Sequence, residues 1–119
     1  MIADAMRADH WSVELHDDHL AIDAPDEDWI ALTGGNDWIA ITEDKNIRYR
    51  SGELLAIQKS NARVIVLRAK NTTGDEKAEL LVKYAKRIQK FSDKNNAPFV
   101  AGIDRNGTIT KYDIQPRGT

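Results

Sequence analysis

Three short apolar runs limit what this chain can become: Trp38-Ile39-Ala40-Ile41-Thr42, Arg63-Val64-Ile65-Val66-Leu67 and Phe99-Val100-Ala101-Gly102-Ile103. Each is nearly continuous in apolarity rather than alternating, which is the pattern of a strand covered on both faces. The segments between them read as helices. Pro25 suits the first residue of a helix running to about Thr33, with Asp23 or Ala24 at its cap and Gly34-Gly35 as its stop. A second helix is predicted from Ser51-Gly52-Glu53 to about Asn61, carrying Leu54, Leu55 and Ile57. Thr73-Gly74-Asp75-Glu76 has the Thr-x-x-Glu form of a capping box and opens a third, with Leu81, Val82, Ala85 and Ile88 on one stripe and Asp93-Lys94-Asn95-Asn96 at its end.

Upstream, residues 2–9 read as a short helix and Trp11-Ser12-Val13-Glu14-Leu15-His16 as an alternating strand. Downstream, Thr108-Ile109-Thr110-Lys111-Tyr112 pairs with the Phe99 run across Asp104-Arg105-Asn106-Gly107, where Asn-Gly supplies the positive φ values of a tight hairpin. The order αβαβαβαββ predicts an α/β domain with a mostly parallel sheet covered by helices and closed by a C-terminal antiparallel hairpin. Trp11, Trp29 and Trp38 fall in these elements and read as core. A chain of 119 residues is the size of one compact domain. It has no Cys, which excludes disulfides, thiolate metal sites and a Cys nucleophile, and fits the cytoplasm. No apolar run approaches the roughly 20 residues needed to cross a bilayer, so no membrane partner is expected.

The net charge of −2 hides a split: residues 1–44 hold twelve acids against one base, and residues 45–119 sixteen bases against seven acids. In an open parallel sheet, ligands gather beyond the carboxyl ends of the strands. Asp44 directly follows such a strand, although a turn or cap role accounts for it equally. Asp26 precedes Trp29 by three and Ile30 by four, which puts a carboxylate on the face those residues bury; a capping partnership with Asp23 is the alternative. Carboxylates converging from separate elements make an oxygen-rich site for Mg²⁺ or Mn²⁺. Lys45, Arg48 and Arg50 follow at once, a loop suited to gripping a phosphodiester backbone beside a metal, or a solvated basic loop. His16-Asp17-Asp18-His19 sits after a strand, where i, i+3 imidazoles do not converge, so a dedicated zinc site is not expected there. Asp17 or Asp18 is instead a candidate outer carboxylate for the Asp26/Asp44 pair.

Two segments together, Asp18-His19-Leu20-Ala21-Ile22-Asp23-Ala24-Pro25-Asp26-Glu27-Asp28-Trp29-Ile30 and Trp38-Ile39-Ala40-Ile41-Thr42-Glu43-Asp44-Lys45-Asn46-Ile47-Arg48-Tyr49-Arg50, resemble the PIN-like domains of VapC-type toxins from bacterial toxin–antitoxin operons. The resemblance implies a three-layer α/β/α fold and an endoribonuclease using Mg²⁺ or Mn²⁺ held by a few acids. Asp26 and Asp44 match family acids, and Asp23 and Asp18 are further candidates for the metal shell. Such domains open with a strand ending in an Asp; here residues 2–8 resemble the latter part of the helix that follows it. The expectation is therefore one PIN-like domain over residues 1–119, shortened at its N-terminus, with the exposed sheet favouring a homo-oligomer.

Two functions follow as expectations. One is the toxin of a type II toxin–antitoxin system, a metal-dependent endoribonuclease with Asp26 and Asp44 on the metal, Lys45, Arg48 and Arg50 on the RNA, and a small DNA-binding antitoxin as partner. The other is a catalytically inactive interaction protein that keeps the scaffold and binds an antitoxin or itself. The broad apolar stripe of the third helix supports the second.

Overall fold

The computed structural model describes residues 25–44, 46–69 and 72–114. The helix expected at 2–9, the strand with Trp11, the His16–His19 segment, Asp18, Asp23 and Lys45 lie outside these residues, as does the side chain of Arg48. The described elements are α1 (Asp26–Gly35), β1 (Ile39–Thr42), a 3-10 turn (Ile47–Tyr49), α2 (Ser51–Ser60), β2 (Arg63–Arg68), α3 (Gly74–Lys94), β3 (Phe99–Asp104) and β4 (Ile109–Lys111). The strands form one sheet in the order β1-β2-β3-β4. The first three are parallel, with Ile39 opposite Arg63 and Arg63 opposite Phe99, and β4 runs antiparallel to β3. This is the α/β architecture expected from the apolar runs.

Alternation along β2 divides the core. Ile65 and Leu67 pack with Phe99, Ala101 and Ile103 of β3 against Leu81, Ala85 and Ile88 of α3. Val64, Val66 and Val100 point the other way, toward Ile30 of α1, Ile57 of α2, Ala40, Ile47 and Ile114. Helices therefore cover both faces, and β2 and β3 read as continuous apolar runs because each side chain finds a helix on its own side. The same packing absorbs the broad stripe of α3: Leu80 and Val82 lie against the core rather than offering a free apolar face.

Three expectations change in detail. The strand at 38–42 was expected to be covered on both faces, yet β1 is the edge strand among the described residues and Ile41 is 41 % exposed. Gly34-Gly35 form the last turn of α1 instead of stopping it. A Cβ built on Gly34 would lie 2.3 Å from the Ser60 carbonyl oxygen, so its missing side chain is what lets α1 and α2 approach. In the hairpin only Gly107 has a positive φ, at 79°. Its N–H donates to Asp104 O at 3.0 Å, and the Asp104 carboxylate accepts the N–H groups of Asn106 and Thr108. A turn closed by one left-handed glycine needs no left-handed Asn.

The capping box forms as read: the Thr73 hydroxyl accepts the Glu76 N–H at 3.2 Å. Trp29 and Trp38 are half-buried, Trp29 against the α1/α2 core.

Candidate functional site

The site lies at the carboxyl end of β1, where α1, the loop after β1 and the start of α2 meet. Asp44 is set by its own loop. Its N–H donates to the Thr42 hydroxyl at 3.2 Å, and its Oδ1 accepts the Asn46 N–H at 3.0 Å, an Asx turn that leaves Oδ2 pointing outward. Oδ2 accepts a hydrogen bond from the Arg50 guanidinium. Arg50 stands between the 3-10 turn and α2 in extended conformation, and its carbonyl accepts the Leu54 N–H, so it caps α2 through its backbone while its side chain returns to Asp44.

The same guanidinium nitrogen lies 3.9 Å from Asp26 Oδ2 and 3.8 Å from Glu53 Oε1. Carboxylates from α1, the β1 loop and α2 thus share one cation. Partial burial is the largest single influence on the Asp44 carboxyl and pushes its pKa up. The Arg50 hydrogen bond, the Asn46 N–H and the Arg50 charge together outweigh it and hold the group below its ordinary value. Arg50 is raised in turn, chiefly by its hydrogen bond to Asp44.

Asp26 is fixed differently. The residue before α1 is Pro25, whose carbonyl accepts the Asp28 N–H at 3.0 Å, so Asp26 occupies the first helical position and not the third. A capping-box role with Asp23 is excluded by that offset, since the reciprocal partner belongs three residues past the cap. Its Oδ1 instead accepts the Trp29 indole N–H at 3.0 Å, which turns Oδ2 toward Arg50. The i, i+3 spacing that marked Asp26 in the sequence is the spacing of this hydrogen bond.

The structure thus brings Asp26, Asp44 and Arg50 together. Glu53 joins them and was not among the sequence candidates; the available signal was its i, i+3 spacing from Arg50 in the first turn of a helix, where a carboxylate is favoured. Beside them, Glu43 reaches Lys77 of α3 at 2.6 Å and ties the loop to the opposite layer.

Among the described residues no group of three or more acids or histidines is arranged to hold a metal ion. The donor chemistry of Asp26 and Asp44 nevertheless fits a hard divalent cation: both are carboxylates, each is oriented by a neutral N–H donor, and together they already face a positive charge.

The chain matches the family model described as PIN like domain over residues 1–69, a span that includes Asp18, Asp23, Asp26, Asp44, Arg50 and Glu53. No curated protein and no solved structure matches it. With more than half of its length in that match, and an α/β sheet presenting acids at its carboxyl edge, this chain belongs to the PIN-like domain family.

Proposed function

We propose that this protein is a cytoplasmic metal-dependent endoribonuclease of the VapC type, the toxin of a type II toxin–antitoxin pair. Family membership supports a nuclease-type function at the coarse level. The observation that carries the finer reading is the meeting of Asp26 and Asp44, from different elements, on one cation at the carboxyl edge of a parallel sheet.

Asp26 and Asp44 would hold Mg²⁺ or Mn²⁺, with Asp18 or Asp23 as further ligands. Bound there, the ion supplies activation of water and stabilisation of charge on a phosphate. The protein's own part is geometry and charge. Asn46 and Trp29 orient the two carboxylates, and the Arg50 guanidinium and the Asn46 N–H favour the ionised form of Asp44. Lys45, Arg48 and Arg50 would contact the RNA backbone, Arg50 by turning from the carboxylates to a phosphate. The test is cleavage of RNA by the purified protein with Mn²⁺. Wild type should cleave and Asp44→Asn should not; equal cleavage by both would remove Asp44 from the mechanism.

One observation favours a second reading, the non-catalytic interaction protein: Arg50 already neutralises Asp44 within the chain. Calorimetric titration with Mn²⁺ separates the two. Binding that disappears in Asp26→Ala supports the enzyme, and no binding by wild type supports the scaffold.

A further inference from the structure

We propose that the outward face of α3 binds the phosphate backbone of RNA, apart from the Asp26/Asp44 site. Lys83, Lys86, Arg87, Lys90 and Lys94 are all exposed on that helix. At 3.6 residues per turn they fall within about 100° of its circumference, and at 1.5 Å per residue the row is about 16 Å long. Of the four acids of α3, only Asp93 falls within the length of this row. Asp75, Glu76 and Glu79 occupy the first third of the helix, and Asp93 accepts the Gln89 amide at 3.0 Å.

Among the described residues no carboxylate forms an ion pair with any of the five cations. Two of them are held in place by other means. Lys83 and Arg87 lie 5.3 and 5.0 Å from the centre of the Tyr84 ring, and Arg87 donates to the Gly107 carbonyl at 2.9 Å. Five like charges without an ion-paired carboxylate among the described residues repel one another, and a polyanion relieves that repulsion along the whole row.

The chemistry of the face selects a nucleic-acid backbone over a protein. Protein interfaces centre on buried apolar side chains, and the large exposed ones among the described residues, Ile41, Tyr49 and Leu55, lie on β1, the 3-10 turn and α2. A nucleic-acid strand repeats its negative charge every few ångströms, so a row of cations about 16 Å long meets several phosphates at once. RNA as the class rests on the nuclease reading above; the row of cations does not.

The experiment is fluorescence anisotropy of a labelled single-stranded oligouridylate with the full chain in EDTA, so that binding is read without cleavage. The triple variant Lys86→Ala/Lys90→Ala/Lys94→Ala should bind roughly tenfold or more weakly near 100 mM salt, and its plot of log affinity against log salt should be shallower by about 2. The matching Lys→Arg triple should keep wild-type affinity, and so should Lys59→Ala on α2, outside the row. Unchanged affinity and slope in the alanine triple overturn the proposal. So does displacement of the RNA by polyglutamate of matched charge as efficient as by unlabelled RNA, which would make the occupant an acidic polypeptide. Binding through α3 without any cleavage by wild type would sink the nuclease reading and leave this surface standing; cleavage with undiminished binding by the triple would do the reverse.

Discussion

The two layers that cover the sheet handle charge in opposite ways. On the α1/α2 side, acids from three separate elements turn toward one arginine, and each is oriented by a neighbour: Asp26 by Trp29, Asp44 by Asn46, Glu53 by its place in the first turn of α2. On the α3 side, five cations stand in a row with no carboxylate partner among the described residues. Convergent charges from different elements define a point and suit a small ion. Aligned charges from one element define a line and suit a polymer. Residues 1–44 are acidic and 45–119 basic in sequence, but the fold does not keep them apart in that way, because Arg50 and Lys77 come from the basic part to meet Asp44 and Glu43.

The strongest challenge to this contrast is Asp44→Asn. It removes the charge that Arg50 meets while leaving the amide able to occupy the same loop, so RNA cleavage should fall to background with the fold intact, as judged by an unchanged circular dichroism spectrum. A variant that cleaves normally would show that the point-like cluster is merely structural.

Next in size are changes to the packing that holds each layer. Phe99 is fully buried and meets Phe91 of α3 edge-on at 5.2 Å between ring centres. Phe99→Ala should cost about 3–5 kcal/mol in chemical denaturation, since it leaves a cavity under α3. On the other side, Gly34→Val should cost about 1–3 kcal/mol by forcing α1 off Ser60. If Gly34→Val were neutral, the close approach of α1 and α2 would not be what sets the acids in place. Thr73→Ala removes the side-chain acceptor for the Glu76 N–H and should cost about 1 kcal/mol, on the α3 layer alone.

How much of this was legible in the sequence follows the same division. Runs such as Val64-Ile65-Val66-Leu67 were readable because both faces of β2 are buried, so burial leaves a continuous apolar signature. The start of α3 was readable because the Thr73/Glu76 contact is local. The role of Gly34 was not, because its constraint comes from Ser60, far along the chain, and a glycine shaped by a neighbouring helix looks like a helix stop. Asp26 and Asp44 were found through position and spacing. Their meeting at Arg50 was not, since Arg50 follows Asp44 in a basic loop and looks like a free cation. Only the fold of that loop turns it inward, and Glu53 enters the cluster by the same turn.

The smallest expected effect asks whether the Arg50 contact contributes to stability at all. The folded Asp44 carboxyl sits below its ordinary value of 3.8. A group with a depressed folded pKa stabilises the protein above its unfolded value, and that contribution is lost as pH falls through the folded value. The thermal midpoint of the wild type should therefore drop on acidification below pH 3.8, and in Arg50→Gln this part of the drop should be shallower. The difference should be small, because the Asp44 side chain is 27 % exposed and solvent screens the pair. Parallel acid limbs for the two proteins would mean that Arg50 adds nothing to stability. Its contact with the carboxylates would then be readily given up, as turning that guanidinium to a phosphate requires.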